Sequence, residues 1–118
     1  MHGKILIVDD DPGILMALEM ALQDEGYETE PVTRYAGVEQ QVESDPPGLI
    51  ILDVLLSGDD GREICRKLKS LPATAHVPVI LMSAHPNARA SASEAGADDY
   101  LPKPFDIDDL LATVERHM

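Results

Sequence analysis

Several apolar runs in this chain end on residues that can do chemistry. Residues 5–8 run into Asp9 and Asp10, residues 49–52 into Asp53, residues 79–82 into Ser83, and the segment 98–105 carries Lys103. Three carboxylates with a hydroxyl and an ammonium form a donor set suited to a hard divalent cation and a phosphoryl group. If the runs are parallel strands, their C-terminal ends bring these side chains into one crevice. Taken singly, each has an ordinary structural use. An Asp9-Asp10-Asp11 triplet caps a helix, an Asp after a strand is a turn residue, a lone Ser satisfies a backbone group and a lone Lys is a solvated charge. Their joint order along the chain favours the site, with Asp11 as the cap and Asp9 and Asp10 left for a metal.

The elements that must hold these residues follow from the hydropathy pattern. Short runs rich in Ile, Leu and Val alternate with helix-like stretches, which is the pattern of a parallel sheet covered on both faces. Residues 4–8 read as the first strand. Asp11-Pro12 then supplies an N-cap and a proline at the first helical position. Ile14, Leu15, Leu18, Ala21 and Leu22 form the buried stripe of that helix, and Gly26 its stop. Residues 27–32 are a weaker strand, placed at an edge by Pro31. A polar helix is expected over residues 35–43, closed by the Asp45-Pro46-Pro47-Gly48 turn.

Residues 49–54 read as the most buried strand, and residues 61–71 as a basic helix with Ile64, Cys65 and Leu68 inward. A fourth strand is expected over residues 77–82, a short Ala- and Ser-rich helix over 87–95, and a last strand over 98–101. Asp106 can cap a final helix with Ile107, Leu110, Leu111 and Val114 as its apolar positions.

Composition narrows the function classes. The length of 118 residues fits one domain spanning residues 1–118, with no output domain inside it. Apolar residues make up 44%, but with one Phe, three Tyr and no Trp the core must be aliphatic. A formal charge of −13, from 22 acids against nine bases, argues against direct nucleic-acid binding and against anionic membrane surfaces. The single cysteine, Cys65, cannot form an internal disulfide, which agrees with a reducing compartment. No apolar stretch approaches the roughly 20 residues of a membrane span. Met1-His2-Gly3-Lys4 followed by a four-residue apolar run is too short for a signal-peptide core, so a cytoplasmic location is expected.

The acidic pair Asp9-Asp10, Asp53 after LIIL, Gly61 eight residues later, Ser83-Ala84, and Lys103-Pro104-Phe105 with Tyr100 three residues before the lysine come in a telling order. Over nearly its whole length the chain resembles a response-regulator receiver domain, the phosphorylatable module of two-component signalling. The resemblance implies a flavodoxin-like α/β fold, five parallel strands in the order 2-1-3-4-5 with helices on both faces. It implies that Asp53 is the phosphoacceptor, Asp10 a direct Mg2+ (or Mn2+) ligand, Asp9 a ligand acting largely through water, and the Leu55 backbone carbonyl a further ligand. Ser83 and Lys103 would neutralise charge on the transferred phosphoryl group, and the Lys103-Pro104 bond would be cis.

The same resemblance implies a histidine kinase or histidine phosphotransfer protein as phosphodonor. Such a domain is no classical enzyme, although it catalyses its own phosphoryl transfer to Asp53 and its own dephosphorylation. Its signal would leave through the face of the fourth helix, fifth strand and fifth helix (α4-β5-α5), toward a downstream partner or a second copy. Tyr100 would move in from the surface as the Ser83 hydroxyl is drawn to a phosphoryl oxygen.

Some residues depart from the family pattern. The loop Val54-Leu55-Leu56-Ser57-Gly58-Asp59-Asp60 lacks the proline common four residues after the acceptor, and Ser83 stands for the commoner threonine. Leu55 offers no polar side chain to an attacking water, while His85, two residues after Ser83, lies where the resembled family varies the rate of phosphoryl loss and reads equally well as a tuner of dephosphorylation or as a solvated loop histidine. Two rival readings remain. A haloacid-dehalogenase-like phosphatase would use Asp9 of Asp9-x-Asp11 as nucleophile, but there the acidic pair follows the lysine, whereas Asp98-Asp99 precedes Lys103. A phosphate-independent receiver-like interaction module would be expected to have lost a metal acid, the acceptor or the lysine, and all are present.

Overall fold

Strands that are apolar at every position, rather than at alternate ones, need cover on both faces. β1 (Ile5–Val8), β3 (Leu49–Asp53) and β4 (Val79–Ser83) are buried at every residue. A computed structural model describes residues 3–56, 59–84 and 88–118. With β2 (Thr29–Val32) and β5 (Asp99–Pro102), these strands form one parallel sheet in the order β2-β1-β3-β4-β5, the order that the family resemblance implies. β2 is an edge strand, and Pro31 is accommodated there, paired in register with Ile7.

Side chains from successive strand positions separate into two clusters. Ile5, Ile7, Leu49, Ile51, Ile80, Met82 and Leu101 pack against α1 (Pro12–Asp24) and α5 (Ile107–Glu115). Leu6, Val8, Ile50, Leu52, Val79 and Leu81 pack against α2 (Val38–Ser44), α3 (Gly61–Ser70) and α4 (Ala88–Glu94). Each fully buried Ile or Leu contributes about 1.5–3 kcal/mol of transfer free energy. The large aliphatic groups at the sheet centre therefore hold the strand ends in place.

Acidic side chains start α1, α3 and α5. Asp11 Oδ1 accepts the Gly13 N–H at 2.9 Å, Asp60 accepts the Arg62 N–H at 2.9 Å and Asp106 accepts the Asp109 N–H at 2.8 Å. A cap of this kind is worth about 1 kcal/mol. Pro12 stands at the start of α1, where its missing N–H costs no hydrogen bond, and Gly26 after the helix has φ +89°.

Two local expectations are corrected. α2 starts at Val38, not at residue 35, because Gly37 with φ +84° lies in the left-handed region and delays the helix. Tyr35 instead turns into the core, 6% exposed. β4 starts at Val79, after the turn in which the Val77 N–H donates to the Thr74 carbonyl at 3.0 Å. The loop after Asp53 carries a short antiparallel pair, Leu55–Leu56 with Asp59–Asp60.

The basic residues of α3 do not form an open cationic face. Arg62 pairs with Asp60, Arg66 with Glu63, Lys67 with Glu39 at 3.7 Å and Lys69 with Asp98 at 2.6 Å. Cys65, inward on the same helix, is fully buried, and burial pushes its thiol up to about 11. It is a packing residue rather than a nucleophile. Among the described residues, no helix is long and apolar enough to cross a membrane.

Candidate functional site

β1, β3, β4 and β5 lie side by side, so their C-terminal ends share one edge of the sheet. Asp9 and Asp10 follow β1, Asp53 closes β3, Ser83 closes β4, and Lys103 follows β5. Asp9, Asp10 and Asp53 each offer a carboxylate oxygen within 4.8 Å of the others'. Lys103 Nζ lies 3.2 Å from Asp9 Oδ2 and 3.3 Å from Asp53 Oδ1, and so bridges two of the three acids. Asp9 is 1% exposed, and its other oxygen accepts the Asp11 N–H at 3.0 Å. Asp10 is exposed at the mouth of the crevice.

Charge is unbalanced here. Three carboxylates face one ammonium, leaving a formal excess of two negative charges. Burial raises the Asp53 pKa above the ordinary value, and the negative charges of Asp9 and Asp10 push the same way. The Lys103 charge opposes them and does not prevail. For Lys103 itself burial is the largest influence and favours loss of the proton, but Asp53 and Asp9 outweigh it and raise its pKa. Clustered hard oxygens with a double negative excess fit a divalent cation such as Mg2+, which accepts few protein ligands and retains water.

Ser83 joins the acidic end of the sheet to the β5 side. Its side chain lies at the end of β4, 6% exposed, and its carbonyl accepts both the Lys103 N–H and the Tyr100 hydroxyl, each at 2.9 Å. The expected surface position of Tyr100 is thus corrected. The side chain is 9% exposed and packs in the same cluster as Ala92 and Ala95, with the Arg89 guanidinium 5.2 Å above its ring. A cation at this distance adds to the apolar packing that keeps the ring inside.

The Lys103-Pro104 peptide bond is cis. The Leu55 backbone pairs with Asp60, while the Leu55 side chain and His85 lie outside the described residues.

Sequence reasoning missed one residue at this end of the sheet. The Tyr35 hydroxyl donates to the backbone carbonyl of Asp53. Beside it, the Gly61 N–H donates to the Val54 carbonyl. A Cβ on Gly61 would stand 2.7 Å from the Tyr35 hydroxyl and closer still to the Asp53 carbonyl oxygen, so only glycine fits. The glycine was visible as a spacing signal, but the tyrosine, in a polar stretch with helical character, gave none.

The family model described as "Response regulator receiver domain" matches residues 5–115, and the chain belongs to that family. Response regulator MprA of Mycobacterium ulcerans (strain Agy99) is 39% identical over 116 residues, covering 95% of this chain and 48% of the relative. The chain thus spans about half the length of the curated relatives it matches. The structure is similar to that of Vibrio cholerae chemotaxis protein CheY4, with a TM-score of 0.89, 26% identity and full coverage of both chains. It is also similar to the signal receiver domain of a signal transduction histidine kinase from Syntrophus aciditrophicus, with a TM-score of 0.87, 37% identity, and coverage of 97% and 88%. The chain is a receiver domain of the two-component type rather than a member of a classical enzyme family.

Proposed function

We propose that this domain takes a phosphoryl group onto Asp53 in a Mg2+-dependent reaction and signals through the face formed by α4, β5 and α5. The observation that carries the reading is the position of the Asp53 carboxylate, within 4.8 Å of two other acids and 3.3 Å from the Lys103 ammonium. Mg2+ (or Mn2+) held among Asp9, Asp10 and Asp53 would supply positive charge to the oxygens of the transferring group. Asp10 would hold it directly, Asp9 largely through water, and the Leu55 backbone carbonyl would add a neutral ligand.

One Asp53 oxygen attacks the phosphorus of a phosphohistidine on a kinase or phosphotransfer protein. The P–N bond breaks, and the donor imidazole keeps the electron pair. Lys103 follows the new charge from carboxylate to phosphoryl oxygen, and the Ser83 hydroxyl donates to another. Attack by water on phosphorus later returns the carboxylate and inorganic phosphate, with the Leu55 side chain and His85 setting access. Residues 1–118 act as one receiver domain in the cytoplasm, without direct contact to nucleic acid or membrane.

The geometry disfavours Asp9 as a phosphatase nucleophile. Both its oxygens are engaged, by the Asp11 N–H and by Lys103, and Asp11 itself caps α1. Acetyl phosphate with Mg2+ should add one phosphoryl group to the protein by intact mass spectrometry, with none on Asp53→Asn and none after chelation of the metal. Undiminished labelling of Asp53→Asn would overturn the assignment.

A further inference from the structure

We infer that Tyr35 is a positioning residue for the phosphoacceptor, an inference that rests on the reading of Asp53 given above. Asp53 is the last residue of β3, and beyond it the sheet no longer dictates where the chain goes. The peptide unit joining Asp53 to Val54 is nevertheless held from both sides. Its N–H donates to the Met82 carbonyl at 2.9 Å, and its carbonyl accepts the Tyr35 hydroxyl. The next carbonyl, that of Val54, accepts the Gly61 N–H. Two consecutive carbonyls after the acceptor side chain are therefore fixed by groups from outside the sheet.

Tyr35 can do this because its ring is anchored independently. It is 6% exposed and belongs to the apolar cluster with Val8, Val38, Leu52 and Val54, which fixes the distance from ring to strand end. Gly61 completes the arrangement, since its missing Cβ leaves the room that the phenol occupies. A peptide plane that cannot rotate fixes the direction of the Asp53 side chain toward Asp9, Asp10 and Lys103. It also fixes the path into residue 55, whose carbonyl is a proposed ligand. Small errors in such alignment are costly to a transfer that depends on positioning.

Tyr35→Phe keeps the ring and removes the hydrogen bond. At saturating Mg2+, with acetyl phosphate varied, the maximal rate of Asp53 labelling should fall roughly threefold to tenfold, the scale of one neutral hydrogen bond. The half-saturating donor concentration should stay near wild type, and the thermal midpoint should fall only by the few degrees that one buried hydrogen bond is worth. Tyr35→Leu, which loses ring and hydroxyl, should lower both rate and midpoint. If Tyr35→Phe labels at the wild-type rate, or if its rate loss tracks a lower midpoint and vanishes on cooling, the residue is structural only and the inference fails. If the wild-type protein takes no phosphoryl group on Asp53, the proposed function fails first and takes this inference with it.

Discussion

At Asp53, burial and two neighbouring acids oppose ionisation while Lys103 favours it, and opposition wins. A folded-state pKa above the unfolded value of about 3.9 means that the native protein binds more protons than the unfolded chain between those two pH values. Stability contributed by the neutral acid is thus present below about pH 3.9 and is lost as pH rises through the folded pKa. Lys103 behaves differently: its raised pKa contributes stability that is complete below about 10.4 and is lost only as pH rises through the folded value. In metal-free buffer, Asp53→Asn should therefore raise the melting temperature by a few degrees at neutral pH and remove the fall in stability that wild type shows as pH rises through the folded pKa of Asp53. Thermal melts across the acid range check this, and an Asn variant less stable than wild type at pH 7 would contradict it. The types and order of Asp9, Asp10, Asp53, Ser83 and Lys103 were legible as chemistry because hard oxygens and a lysine at strand ends have few other joint uses. Tyr35 was not, because its contact spans 18 residues of sequence and its partner is a backbone atom that no side-chain pattern can report.

Strand positions were easier to read than helix starts. A strand covered on both faces shows as an unbroken apolar run, whereas the beginning of α2 depended on the φ of Gly37 and the short pairing at Leu55–Leu56 on two residues only. Strand order was not written in the hydropathy pattern at all; it came from the family resemblance, because alternation fixes neither neighbours nor sides. α3 gives a test in which two effects compete. On helix propensity Gly61→Ala should stabilise by up to about 1 kcal/mol. The new Cβ would meet the Tyr35 hydroxyl at 2.7 Å and the Asp53 backbone, so overpacking of about 1–3 kcal/mol should win. A lower urea midpoint would confirm that direction and a higher one would refute it. Among its described side chains α4 buries only Ala92, with Arg89 over Tyr100 and Ala95 just beyond its end, so the helix should be cheap to shift. A beryllofluoride complex should move amide signals across residues 88–101 and strengthen association through that face, and Ser83→Ala should weaken the shift. Changes confined to Asp9, Asp10 and Asp53 would remove this face from the output path.

For the molecule as a whole, an aliphatic core and a net charge of −13 give an acidic body in which, among the described residues, the acids Asp9, Asp10 and Asp53 gather at the C-terminal edge of the sheet. Similar domains stand in a regulator twice as long, in a chemotaxis protein of matching length and in a histidine kinase, so the fold serves several contexts. What these contexts would share is transfer to a single aspartate. The acyl phosphate can be trapped after exposure to acetyl phosphate and Mg2+ by borohydride reduction, which converts a phosphorylated aspartate to homoserine and leaves free carboxylates alone. Peptide mapping should then find homoserine at position 53 and at no other aspartate. Homoserine at position 9 or 10, or none anywhere, would contradict the assignment of Asp53 as the acceptor.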